Sequence, residues 1–139
     1  MDIAIIALGS NIRPKINMEK ARKILSREFE IVAETKYVFT KPLVFRDQAD
    51  FFNGAMLVKT ELDFFGLEAR LKEIEKELKR VKTKVKAGPR TIDLDIVVWN
   101  SEVMKKEAFE WEFLKKEVKE LLPALEKELG QTPSWAKNL

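Results

Sequence analysis

Two periods of apolar residues alternate along the chain. Asp2-Ile3-Ala4-Ile5-Ile6-Ala7-Leu8 is almost continuously apolar and predicts a central strand, which the turn residues Gly9-Ser10-Asn11 end. From Met18 to Phe29 the period changes. Met18, Ala21, Leu25 and Phe29 recur every three or four residues, as on one face of a helix. Glu30 to Phe39 predicts a second strand, Thr40 to Ala49 a loop around Pro42, and Phe51 to Thr60 a third strand. Asp63 stands where a side chain caps the next helix. Leu67, Leu71, Ile74 and Leu78 then predict that helix, running to about Arg80. An Ile/Leu/Val run ending at Trp99 predicts a fourth strand, and Phe113 to Leu129 a last helix, interrupted or kinked at Pro123. The order is β-α-β-β-α-β plus a C-terminal helix. It predicts an α+β, ferredoxin-like sheet with helices packed on one face, the other face open or covered by loops and the tail. One domain over residues 1–139 fits the length.

Composition narrows the chemistry more than the fold. There is no Cys, so a disulfide framework and thiolate metal sites are excluded. There is no His, so a His-based triad, a His-ligated zinc and a histidine base are excluded too. No apolar run approaches the ~18 residues of a membrane span, and the N-terminus lacks a basic leader, so a cytoplasmic protein is expected. A net charge of +3 is too small to argue for nucleic acid. Charged residues make up 35% of the chain, mostly Lys and Glu, a composition resembling that of hyperthermophile proteins.

The fourth strand carries the chemistry. Asp93 and Asp95 are two residues apart, so on a strand they face one way, about 6.5 Å apart along the chain. Two carboxylates on one half-buried face call for cations. Lys or Arg partners are one answer. Divalent ions are the other, since Mg2+ prefers carboxylate oxygens and shares itself with substrate phosphates. Half of the residues from Lys79 to Arg90 are cationic, which suits a polyphosphate arriving with its metal; a solvated Lys-rich loop has the same composition. Asn53 is a polar amide inside an apolar strand. It bonds either to a neighbouring loop or to the edge of a heterocycle, and Phe51, two residues earlier, either stacks on that ring or belongs to the core.

Four blocks resemble 6-hydroxymethyl-7,8-dihydropterin pyrophosphokinases of folate synthesis. They are Ala7-Leu8-Gly9-Ser10-Asn11, Gln48-Ala49-Asp50-Phe51-Phe52-Asn53, Ile74-Glu75 and Gly88-Pro89-Arg90-Thr91-Ile92-Asp93-Leu94-Asp95-Ile96, in family order across roughly residues 3 to 100. The resemblance implies a ferredoxin-like fold and transfer of diphosphate from ATP to the pterin hydroxymethyl group, with AMP released. It implies Asp93 and Asp95 as ligands of two Mg2+ ions, with Arg90 and Arg80 as further catalytic residues. Glu75, Lys82, Arg80 and Arg90 would meet the nucleotide; Asn53, Phe51, Thr40 and Leu43 would meet the pterin. The implied partners are small molecules, ATP and the pterin, on a monomer that binds neither nucleic acid nor membrane. After Arg90 the chain departs from the family, which usually carries a Pro-His pair, an Arg and a Phe. No His or Arg follows Arg90 here, and Trp111 and Phe113 are the nearby aromatics that could supply the second stacking ring or else pack the last helix. Two alternatives stay open. One is a relative acting on another alcohol or only binding. The other is a ferredoxin-like nucleic-acid module, against which stands the absence of a Lys/Arg-Gly-aromatic pattern in the third strand.

Overall fold

The computed structural model describes residues 1–44, 46–78 and 91–139. Six strands form one antiparallel sheet: β1 (Asp2–Ser10), β2 (Glu30–Glu34), β3 (Val38–Thr40), β4 (Phe51–Thr60), β5 (Asp93–Trp99) and β6 (Glu102–Val103). The order is β2-β4-β1-β5-β6, with β3 also on β4. The helices are α1 (Pro14–Glu28), α2 (Phe64–Glu77), α3 (Glu107–Glu110) and α4 (Glu112–Leu129), and a 3-10 turn (Ser134–Asn138) closes the chain.

The architecture is α+β, in the predicted order. Strand alternation splits the core in two. Ala4, Ile6 and Leu8 of β1 face α1 and α2; Ile3 and Ile5 face α4. The C-terminal helix therefore covers the second face of the sheet, through Leu114, Val118, Leu121 and Leu125. Each such fully buried side chain stabilises the fold by roughly 1.5–3 kcal/mol. Among the described residues no helix is long and apolar enough to cross a membrane.

Several local predictions change. The strand expected over Glu30 to Phe39 is two strands, both paired to β4. Between them Tyr37 lays its ring over Gly54, where an added Cβ would lie 2.3 Å from ring carbons, so the ladder yields to the ring. Thr35 keeps the gap tied to β4: its N–H donates to the Ala55 carbonyl and its Oγ1 accepts from the Ala55 N–H, both at 2.9 Å. The first helix starts a turn early, at Pro14, because proline is at ease in a helix's first turn. Asp63 caps α2 as expected, accepting from the Gly66 N–H at 2.7 Å. The helix α4 runs through Pro123 without interruption. The cationic stretch, with Arg80, Lys82 and Arg90, lies outside the described residues.

Candidate functional site

The register of three strands builds the site. Gly9 of β1 pairs with Asn53 of β4 on one side and Asp93 of β5 on the other. One step further along, Ala7 pairs with Ala55 and Asp95. A polar row therefore crosses the sheet on the face that α4 covers, floored by residues small enough to leave space. Gly9 is required there: a Cβ would come 2.8 Å from Asn53 Oδ1. The space is a cleft of about 470 Å3. Thr40, Leu43, Phe51, Asn53, Asp93 and Asp95, the expected substrate and metal residues among those described, all line it.

Asn53 is buried, and its Nδ2 donates to Thr40 Oγ1 across the β3–β4 pair. This sets which way the amide points and leaves Oδ1 over Gly9. Asn11 anchors the neighbouring loop, donating to Gln48 Oε1 at 2.8 Å and to the Ala49 carbonyl at 3.0 Å. The roof brings aromatics. Trp111 and Phe113 stack at 5.8 Å between ring centroids, 29° from parallel, and both line the cleft with Phe51. Phe51 comes from β4, and Trp111 and Phe113 come from the start of α4.

Asp93 and Asp95 lie in the first half of β5. The strand β6 pairs with Val98 and Trp99, and among the described residues no strand pairs with the first half of β5 on that side. A second cavity of about 330 Å3 opens there, lined by Phe64, Leu71, Lys72 and Glu75 together with Asp93, Asp95 and Lys105. The two carboxylates and Lys105 thus border both cavities. Lys105 Nζ lies 3.9 Å from Asp95 Oδ1. Among the described residues there is no group of three or more His, Cys, Asp or Glu side chains that could hold a metal. Mg2+ does not need one, since it is commonly held by one or two carboxylates plus substrate phosphates. Hard oxygen donors on one face of a strand fit it. Glu75, expected at the nucleotide, has a backbone partner as well: the Leu94 N–H donates to its Oε2 at 2.8 Å in a buried setting. It holds the segment between the two aspartates.

Three charged residues at the site were not anticipated. Lys105 follows the short β6 and Glu107 opens α3, and no motif marks either. Glu117 left a signal: it sits three residues after Leu114 and four before Leu121, inside the apolar stripe of α4. It is 6% exposed, lines the cleft, and neither carboxyl oxygen has a hydrogen-bond partner among the described residues. Burial, with Glu120 adding to it, pushes its carboxyl up to about 8.

The family model described as 7,8-dihydro-6-hydroxymethylpterin-pyrophosphokinase matches residues 5–123. That match runs past residue 100, where the motif resemblance ends, and takes in Trp111, Phe113 and Glu117. The chain is 39% identical over 109 residues to 2-amino-4-hydroxy-6-hydroxymethyldihydropteridine pyrophosphokinase of Bacillus subtilis, covering 76% of this chain and 65% of that protein. It is 36% identical over 110 residues to the Haemophilus influenzae protein of the same name, covering 77% and 68%. It is also 36% identical over 105 residues to folic acid synthesis protein fol1 of Pneumocystis carinii, covering 74% of this chain and 14% of that one. The chain thus spans about two thirds of the length of the two bacterial relatives and a small part of the third.

Proposed function

The chain belongs to the 7,8-dihydro-6-hydroxymethylpterin-pyrophosphokinase family, and from that premise we propose that it makes a pterin diphosphate for folate synthesis. The hydroxymethyl oxygen of 6-hydroxymethyl-7,8-dihydropterin attacks the β-phosphorus of ATP. The bond from that phosphorus to the α–β bridging oxygen breaks, AMP leaves with that oxygen, and the alcohol proton is lost. The observation that carries this reading is that two cavities meet at Asp93 and Asp95; on this reading the larger takes the pterin and the smaller the nucleotide.

Asn53, fixed by Thr40, meets the polar edge of the ring, and the backbone around Leu43 closes beside it. Phe51 offers one ring face and the Trp111–Phe113 pair another, in place of the family's later Phe. Asp93 and Asp95 would hold Mg2+, which when bound offsets phosphate charge and brings the two substrates together. Glu75 keeps β5 at the height the carboxylates need. Lys105 restrains Asp95 and lies within reach of an entering phosphate. Arg80, Arg90 and Lys82 are proposed as phosphate contacts from the cationic stretch. Holding an alcohol in line with a neutralised phosphate supplies most of the acceleration in such transfers, so no histidine base is needed.

Incubation with ATP, Mg2+ and the pterin, followed by mass spectrometry, tests this. AMP and pterin diphosphate are expected, both absent without Mg2+. Asp93→Ala and Asp95→Ala should each lower turnover about a hundredfold or more. Binding of both substrates with no AMP would exclude the reaction, and binding of neither would reduce the likeness to a shared fold.

A further inference from the structure

Tyr37 lines neither cavity, yet it is held from three sides. It stands in the gap between β2 and β3. Its ring lies over Gly54, where an added Cβ would meet ring carbons at 2.3 Å. Its hydroxyl donates to Glu34 Oε2 at 2.5 Å. Arg22 of α1 closes the arrangement. Its Nε and Nη2 donate to the two oxygens of Glu34 at 2.6 and 2.8 Å, and its guanidinium carbon lies 5.2 Å from the centre of the tyrosine ring. A two-pronged bond to a carboxylate fixes geometry as well as adding energy, and a guanidinium over an aromatic face adds a further attraction. Tyr37 is thus tied to α1 through Arg22 and to β2 through Glu34.

The strand β3 needs such a hold. It has three residues, pairs with β4 alone among the described strands, and leaves Val38 and Phe39 51% and 52% exposed. A strand so short and so little buried has few contacts to keep it in place. What it carries is Thr40, whose hydroxyl accepts from Asn53 Nδ2 and leaves the amide oxygen over Gly9. Tyr37 stands three residues before Thr40, and Gly54 follows Asn53, so the ring clamps β3 to β4 beside that bond. Phe52, on the other side of Asn53, lies 5.9 Å from the Tyr37 ring and 4.7 Å from the Phe39 ring, between centroids. These rings pack with the core of α1 and α2, while Asn53 presents its amide to the cleft on the opposite face. The hold therefore passes along the backbone of two paired strands, not through the cores. We propose that Tyr37, anchored by Glu34 and Arg22, is a positioning residue: it keeps β3 where Thr40 orients the Asn53 amide, and so sets affinity for the heterocycle without touching it. This rests on the reading of the larger cleft as the pterin site. Without the clamp Thr40 withdraws and the amide turns freely, offering a donor where the ring meets an acceptor. The smaller cavity has no residue from β3 or β4 in its lining, so the nucleotide is spared.

The test is a double-mutant cycle on binding, read by calorimetry with 6-hydroxymethyl-7,8-dihydropterin and with a non-hydrolysable ATP analogue plus Mg2+. Tyr37→Ala removes the ring, Tyr37→Phe removes the hydroxyl alone, and Thr40→Val removes the acceptor through which Tyr37 is argued to act. Tyr37→Ala and Thr40→Val should each lower pterin affinity about tenfold, and Tyr37→Phe about threefold. ATP-analogue affinity should stay at the wild-type value in all three. In the Thr40→Val background neither change at Tyr37 should lower pterin affinity further, because the step it supports is already gone. A general packing role would not give that result. Pterin affinity unchanged in Tyr37→Ala, losses that multiply in the double variant, or an equal loss of the ATP analogue would each overturn this inference and leave the proposed reaction standing. If Tyr37→Ala does not fold, Tyr37→Phe carries the same cycle, and wild-type pterin affinity in it overturns the inference. A wild-type protein that binds the ATP analogue but no pterin overturns the pterin reading, and the inference with it.

Discussion

Glu117 links the site to stability, through its proton. Its carboxyl titrates at about 8 in the folded chain against an ordinary value of 4.5. Between those values the folded chain holds a proton that the unfolded chain has released. The group's stabilising contribution is therefore complete below about pH 4.5 and is lost as pH rises through 8, at about 1.4 kcal/mol per unit. Glu117→Gln cannot titrate. It should match wild type in unfolding free energy near pH 4.5 and exceed it by a few kcal/mol at pH 8, in paired urea melts. A difference that stays flat across this range would mean that the acid is hydrated or paired in solution. Residue-scale chemistry was legible where a side chain broke its own pattern. Asn53 broke the pattern of one apolar strand and Asp93 with Asp95 that of another, and the structure brings Asn53 and Asp93 to the Gly9 row and Asp95 to the next row. Glu117 broke the stripe of α4 in the same way and could have been found by the same rule. Lys105 could not, because a turn carries it to Asp95.

At the scale of elements, β5 depends on its neighbours unequally. On one side β1 pairs along most of its length; on the other, β6 covers only the last two residues. An N–H group with no strand partner must find another acceptor, and Glu75 reaches from α2 to accept from Leu94. Glu75→Ala removes the acceptor and should destabilise the ligand-free protein by about 1–3 kcal/mol. Turnover should fall with it, since Leu94 lies between the two aspartates. Glu75→Gln retains an acceptor oxygen and should remain near wild-type stability. Thermal unfolding of the three proteins checks this; equal midpoints for Ala and wild type would leave Glu75 as a ligand contact only. Long elements were visible in the sequence because continuous apolar runs mark the strands and a 3.6 period marks the helices, and Phe51 to Thr60 has the bounds its apolar run predicts. The break between β2 and β3 was not visible. It comes from Tyr37 crossing Gly54, residues 17 positions apart that meet only after the sheet forms. The two-residue β6 and four-residue α3 are too short to show any period.

For the molecule as a whole, the sheet is a partition with a separate apolar core on each side, and each cavity leans on one of them. The larger cleft takes its roof from α4, whose buried face also seals the second core. The smaller cavity takes its wall from α2, whose Leu71 belongs to the first core, and nothing in its lining comes from α4. Which face α4 would take could not be read from its amphipathic pattern, which shows that one side is buried but not against what. This arrangement predicts that packing defects act on the two substrates separately. Leu121→Ala in α4 leaves a hole in the second core and should cost about 2–5 kcal/mol of stability. The same loosening tilts Trp111, Phe113 and Glu117, so pterin affinity should fall while Mg-ATP affinity holds. Leu71→Ala in α2 should cost a similar amount and do the reverse, weakening the nucleotide and sparing the pterin. Calorimetry with each ligand, at a temperature where both variants remain folded, gives four affinities to compare with wild type. Crossed losses would establish that each side of the sheet governs its own substrate. Equal loss of both ligands in either variant would mean that strain passes through the sheet, by way of the small residues Ala7 and Gly9 that lie between the two cores.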